Sequence, residues 1–174
     1  MIKITELSHK IISEKSNIKL AVDMTVGRGN DTLFLAKNAE TVIGFDIQPE
    51  SIVLTNNLLH SQNISNVKLI NDSHENILEY IKDPVDVAIY NLGYLPKGNK
   101  EIKTEKNSTI KSLKSLLSIL SIHGLVVIVI YPHNQDEINA ILDLVSELKD
   151  YFDVMKYQVL NKENCPFIIS IEKR

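Results

Sequence analysis

Alternation constrains this chain more than any other feature: short apolar runs and segments of helical spacing take turns from residue 4 to residue 148. Ile4, Leu7 and Ile11 predict a leading helix over 4–15, and the run 20–24 reads as a buried strand that enters a turn at Gly27 and Gly29. Residues 31–37 read as helix and 42–46 as strand, and Pro49 opens a helix to about His60. A strand at 67–71, a short helix at 74–81 and a strand at 85–90 follow. Ile110, Leu113, Leu116, Leu117 and Leu120 form a helical stripe with Gly124 as its expected stop, 125–131 is the most strand-like segment, and Ile138, Ile141, Leu142, Val145 and Leu148 mark another helix. The tail, 152–160 and 167–171, reads as an antiparallel hairpin. Five strand and helix alternations followed by a hairpin predict one α/β domain over 1–174. The expected architecture is a Rossmann-like, doubly wound, mostly parallel seven-stranded sheet with an antiparallel C-terminal hairpin. The apolar residues of that hairpin would serve either a homodimer interface or the completion of the sheet.

A chain of 174 residues at 44% hydrophobic composition can hold a full core without disulfides or structural metal. Its single cysteine, Cys165, offers no disulfide framework and no cysteine-rich zinc site, which favours a reducing, cytoplasmic setting. The longest apolar run, 125–131, is too short to span a bilayer, and charges at Lys3, Glu6, Lys10, Glu14 and Lys15 break up any signal-peptide pattern. The net charge of −3 argues against indiscriminate nucleic-acid binding. Locally the balance inverts. Lys97, Lys100, Lys103, Lys106, Lys111 and Lys114 outnumber Glu101 and Glu105, either as a solvated face or as a patch for phosphate.

In sheets of this kind ligands bind beyond the carboxyl ends of the strands, near the point where strand order reverses. The first such end reads Asp23-Met24-Thr25-Val26-Gly27-Arg28-Gly29-Asn30-Asp31-Thr32. Its glycines permit a tight turn before a helix N-terminus. Thr32 stands where a dinucleotide site has its third glycine, and Asp23 and Asp31 would repel a pyrophosphate. The same acids suit a ligand carrying a cationic amino group or a sulfonium, and S-adenosylmethionine has both. Asp46, followed by Gln48, closes the second strand seventeen residues after Gly29, where an acid can accept both ribose hydroxyls. Asn71-Asp72-Ser73-His74 closes the third, either as partner to an adenine amino group or as a helix cap.

The fourth end, Asn91-Leu92-Gly93-Tyr94-Leu95-Pro96, brings an amide oxygen, a backbone carbonyl and a ring together. Two acceptors can hold an amine's N–H bonds so that its lone pair points at a methyl group, while the ring stacks on a base. The layout resembles the Asn-Pro-Pro-Tyr loop of methyltransferases that modify nucleobase amino groups, with Leu92 and Gly93 in place of the prolines.

Taken together, 23–32, Asp72-Ser73-His74-Glu75 and 91–96 resemble a small family of class I methyltransferases once labelled ribosomal-RNA methylases. That family is understood to methylate 5-aminomethyl-2-thiouridine at the wobble position of tRNA, giving the methylaminomethyl form. At the fifth strand end the family has Tyr, Gly, His and a second glycine, whereas this chain reads Tyr131-Pro132-His133-Asn134-Gln135-Asp136 and keeps only Tyr131 and His133. The resemblance implies that S-adenosyl-L-methionine is held by Asp23, Thr25, Gly27, Gly29, Asn30, Asp31, Thr32, Asp46, Gln48, Asp72, Ser73, His74 and Asn91. Asn91, Tyr94, Asp31 and His133 would act on the reacting amine, with Asp31, His133 and water as alternative proton acceptors. Arg28, Leu92, Gly93, Tyr94, Lys97, Lys103 and Lys106 would meet a tRNA anticodon stem-loop, with no metal and no membrane involved. His60 and His123 read as C-terminal helix residues, and His9 as a residue without ligand types nearby. Alternative readings are methylation of ribosomal RNA, protein or a small amine, or a binding module that has lost catalysis. A dehydrogenase is disfavoured by Thr32.

Overall fold

The computed structural model describes residues 3–92, 106–132 and 134–174. Along the chain run α1 (Ile4–Ser13), β1 (Ile18–Asp23), α2 (Asn30–Ala36), β2 (Ala39–Phe45), α3 (Pro49–Ser61) and β3 (Val67–Ile70). A 3-10 turn at His74–Asn76 leads into α4 (Ile77–Tyr80), followed by β4 (Val85–Leu92), α5 (Lys106–Ile119), β5 (Leu120–Ile130), α6 (Gln135–Ser146), β6 (Phe152–Tyr157) and β7 (Phe167–Lys173). All seven strands share one sheet, in the order β3-β2-β1-β4-β5-β7-β6. The first five pair in parallel, and β7 runs antiparallel between β5 and β6.

Strand periodicity divides the core into two layers. Val22, Ala88, Tyr90, Leu92, Val126, Ile128 and Ile130 face one side, where Ile77 of α4, Leu113 and Leu116 of α5 and Ile141 of α6 cover them. Their alternates Ala21, Val87, Ile89, Val127 and Val129 face the other, against Ile12 of α1 and Leu35 of α2. Central parallel strands buried on both faces must be apolar at successive positions, which is why β4 and β5 read as continuous runs. Phe167, Ile168, Ile169 and Ile171 are buried within the chain, so the hairpin residues of β7 complete the sheet.

The expected organisation holds, and several boundaries move. β2 begins at Ala39 instead of 42, and β6 ends at Tyr157 instead of 160. Gly124 is no helix stop. α5 ends at Ile119 and β5 starts at once, with its register against β4 shifting between Val85↔Leu120 and Val87↔Leu125. The extra residues form a bulge in which His123 has φ 61° and a side chain on Gly124 would meet the Ser121 carbonyl at 2.8 Å. His123 therefore lies in a strand bulge, not at a helix end. An isolated glycine after a helical stripe signals a stop and a bulge equally well.

Order reverses between β1 and β4, and the glycine loop at this switch point is sterically specified. Gly29 is the N-cap of α2 at φ 77°, and a Cβ there would approach Thr55 of α3 to 2.6 Å. The glycine missing at position 32 has a counterpart across the sheet. Gly44 of β2 lets Val26 and Leu69 within 2.9 Å of where its own Cβ would be, and Thr32 packs at 3.9 Å from that point. Gly29→Ala is expected to cost about 1–3 kcal/mol, since it combines a left-handed backbone with a clash. Thermal or urea unfolding of the variant measures this directly, and an unchanged midpoint would contradict it.

Candidate functional site

Four carboxylates gather at the carboxyl ends of β1, β2 and β3 and at the start of α2, and the three at the strand ends accept from nearby backbone amides. Asp23, fully buried at the end of β1, accepts from the Thr25 amide at 3.1 Å and the Thr32 hydroxyl at 2.6 Å. It therefore braces the loop from beneath. Asp46, just beyond β2, accepts from the Gly27 amide at 2.8 Å and the Gln48 amide at 2.8 Å, clasping the glycine loop to the next strand end. Asn71, which its sequence context did not single out, donates its side-chain amide to the Asp46 carbonyl at 2.9 Å. Asp72 accepts from the Ser73 amide, the Asn76 side chain and the Tyr80 hydroxyl, the last at 2.7 Å. Ser73, not Asp72, is the cap of the following turn, accepting from the Glu75 amide at 3.4 Å.

The fourth carboxylate, Asp31, is the hub. Its Oδ1 lies 2.6 Å from Nε2 of His9 on α1, and its Oδ2 accepts from Nδ2 of Asn91 at 3.1 Å. Because a carboxylate only accepts, the Asn91 amide must turn its NH2 towards Asp31 and keep its oxygen for another donor. The Asn91 backbone amide donates to the Thr25 hydroxyl at 2.7 Å, so the loop after β1 and the first turn of α2 fix this residue at two points. His9 is the residue that the sequence reading set aside, and the structure corrects it: its ring stacks on Phe34 at 3.9 Å with an interplanar angle of 2°. No motif signals this, because His9 and Asp31 lie 22 positions apart and only the packing of α1 beside α2 unites them.

Burial and neighbouring groups shift the protonation of several of these side chains. Burial, then Asp31, and more weakly Asp46, push the Asp23 carboxyl up from 3.8 to about 7. Burial and the same Asp31 charge raise the Tyr131 phenol. The Tyr80 hydroxyl bond holds Asp72 below the usual carboxylate range. His74, edge-on to Tyr90, is pushed down by burial to about 4. Its Nδ1 is buried without a partner among the described residues, as are Gln48 Oε1 and Ser51 Oγ. Fixed carboxylates and a glycine-lined helix start at the strand ends suit S-adenosylmethionine, whose sulfonium and ammonium are cationic and whose adenosine is polar. They do not suit a pyrophosphate.

Asn30 and Arg28 are exposed at the loop's rim, and Thr32 is fully buried beneath it. Leu92, expected at the acceptor loop, packs into the core, so only its backbone faces the strand end. Gly93, Tyr94, Lys97, Lys103 and His133 lie outside the described residues, and Lys106 opens α5. Lys111 is 3.6 Å from Glu75, so one lysine of the basic stretch is ion-paired. Among the described residues no group of three or more His, Cys, Asp or Glu is placed to hold a metal. No helix among them is long and apolar enough to cross a membrane.

The perturbed pair Asp23 and His74 predicts opposing pH effects on stability. The folded protein keeps the Asp23 proton to about pH 7 while the unfolded chain releases it near 3.8. Stability through Asp23 is therefore greatest in acid and declines as pH rises between those values. His74 stays neutral in the folded state down to about 4 instead of 6.5. Its contribution is full above 6.5 and lost as pH falls towards 4. Relative to the parent chain, melting temperature should rise with pH in Asp23→Asn and fall with pH in His74→Gln across this window. Parallel curves for all three proteins would contradict both assignments.

A family model described as "Putative rRNA methylase" matches residues 42–173. The tRNA (mnm(5)s(2)U34)-methyltransferase, chloroplastic, of Arabidopsis thaliana is 32% identical over 194 residues, covering 99% of this chain and 70% of that protein. A crystal structure described as "a putative methyltransferase" from Streptococcus mutans in complex with SAH superposes with a TM-score of 0.94 at 38% identity, covering 100% of this chain and 99% of that one. A "putative rRNA-methylase" from Clostridium thermocellum gives a TM-score of 0.95 at 34% identity, with 100% of both chains covered. The chain is a methyltransferase of the class I fold and belongs to the family described as putative rRNA methylase.

Proposed function

We propose that this chain, as a single domain, methylates the amino group of 5-aminomethyl-2-thiouridine at the wobble position of tRNA. The observation that carries this reading is the Asn91 amide at the end of β4. Asp31 fixes its NH2 group, which leaves its oxygen as an acceptor for an amine N–H beside the glycine loop. Similarity over 99% of this chain, and 70% of its relative, to a protein named for that tRNA reaction supports the choice of amine.

S-adenosylmethionine is the cofactor, and when bound it supplies a methyl group already activated as a sulfonium. Asp46 and the Gln48 segment would take the ribose, the Asp72 to His74 turn the adenine, and the Gly27 to Asn30 loop the amino-acid portion, close to Asp31. Asp23 and Thr32 contribute from below by holding that loop in shape. Because the donor is pre-activated, the protein's main task is alignment, which in favourable cases is worth about 7–11 kcal/mol. Asn91 orients the amine, its backbone carbonyl and that of Leu92 stand nearby in sequence, and Tyr94 would stack on the base. An ammonium has no lone pair, so one proton must leave before attack, with Asp31 and His133 both in the relevant segments.

The wobble base lies in a single-stranded loop, so it can enter a pocket without opening a duplex. Arg28 and the lysines of 97–114 would then meet phosphates, which makes binding salt-dependent. The test is mass spectrometry of nucleosides from tRNA carrying 5-aminomethyl-2-thiouridine, incubated with the protein and S-adenosylmethionine. A gain of one methyl group is expected, reduced about a hundredfold or more in Asn91→Ala at saturating cofactor. No gain on this nucleoside, with cofactor binding shown by calorimetry, would overturn the wobble-uridine reading.

A further inference from the structure

We propose that His9 is a positioning residue for the transfer reaction, donating from Nε2 to Asp31 and so holding that carboxylate against the Asn91 amide. The inference rests on the reading of the chain as an amine methyltransferase. It starts from an unbroken chain of contacts: Asn91 Nδ2 to Asp31 Oδ2 at 3.1 Å, then Asp31 Oδ1 to His9 Nε2 at 2.6 Å. The inner end of this chain is closed and the outer end open, since the Asp31 side chain is 9% exposed and that of His9 27%. Phe34, stacked flat on the imidazole, sets the ring plane so that Nε2 meets the carboxylate.

The ring does more than pack. A histidine on an amphipathic helix could face solvent, yet this one reaches across to another helix and places its nitrogen on the single carboxylate that also orders Asn91. Without a partner on Oδ1, Asp31 could rotate away from the Asn91 amide, and the acceptor oxygen of Asn91 would no longer be aimed. Because a carboxylate only accepts, Nε2 carries the hydrogen of the 2.6 Å contact and has no lone pair for a proton from Asp31, so His9 acts on the reaction by position and not as a proton carrier. Other titratable groups around the chain, among the described residues, are Asp23 at the end of β1, Tyr131 beyond β5, Asp46 beyond β2, and Glu6 and Lys10 on α1 itself.

The test compares the parent chain with His9→Gln, which keeps an N–H donor, and His9→Leu, which has none, in single-turnover methylation of the aminomethyl-thiouridine tRNA. Positioning through the hydrogen bond predicts a loss of about tenfold or more in His9→Leu and recovery to within about threefold of the parent chain in His9→Gln. Cofactor affinity by calorimetry should be unchanged. An equal loss in both variants, or no loss in either, would overturn the proposal. A readout independent of activity is the imidazole N–H signal of His9 in nitrogen-15 NMR of the cofactor-free protein. It should be downfield, slow to exchange and abolished in Asp31→Asn, and its absence from the parent chain would overturn the proposal. A parent chain that transfers no methyl to this tRNA yet shows the protected signal would instead refute the amine reading, leaving the His9 to Asp31 bond intact.

Discussion

The carboxylate of Asp31 lies where three separately folded pieces meet, and the geometry of the site depends on it. One oxygen takes the imidazole of α1 and the other the amide at the end of β4, while the backbone of Asp31 belongs to the first turn of α2. A buried acid so placed must be paired on both oxygens to be tolerated, and here each partner also does something for the site. Asn91 gains a fixed amide orientation, and His9 gains a defined ring plane. The glycine loop delivers Asp31 to this position only because Gly29 adopts a left-handed backbone and Thr55 of α3 closes against it.

Around that hub the strand ends accumulate negative charge that the fold tolerates at a cost. Asp23 is pushed towards neutrality by burial and by Asp31, and it is stabilised by a hydroxyl and an amide from its own loop. Asp46 and Asp72 spend their lone pairs on backbone and side-chain donors, which shapes the loops before any ligand arrives. Such preorganisation explains how carboxylates can sit close together at a switch point and still leave the field that a cationic cofactor needs.

Much of this was legible in the order of residues. Runs such as 125–131 and stripes such as Leu113, Leu116 and Leu117 report burial directly, because a strand covered on both faces and a helix covered on one impose different periods. The glycine loop, Asp46 and Asn91 were legible as site candidates because each directly follows an apolar run, and strand ends are where such sheets bind ligands. Gly124 misled, since a glycine after a helical stripe looks the same whether the helix stops or the next strand bulges. His9 was invisible for a different reason. Nothing within its own helix distinguishes it from a solvated histidine.

What the sequence determined by itself was therefore local and periodic: the succession of elements, the faces they bury, the tight turn at Gly27 and Gly29, and the acids that follow the strands. Tertiary structure decided every relation between distant segments. The seating of α1 beside α2 made His9 the partner of Asp31, the parallel pairing of β1 with β4 brought Thr25 to the Asn91 amide, and Gly44 on β2 supplied the room that position 32 lacks. The physical reason is that burial patterns are written along the chain in single residues, whereas a hydrogen bond between elements depends on crossing angles and register, which emerge only when the whole core packs.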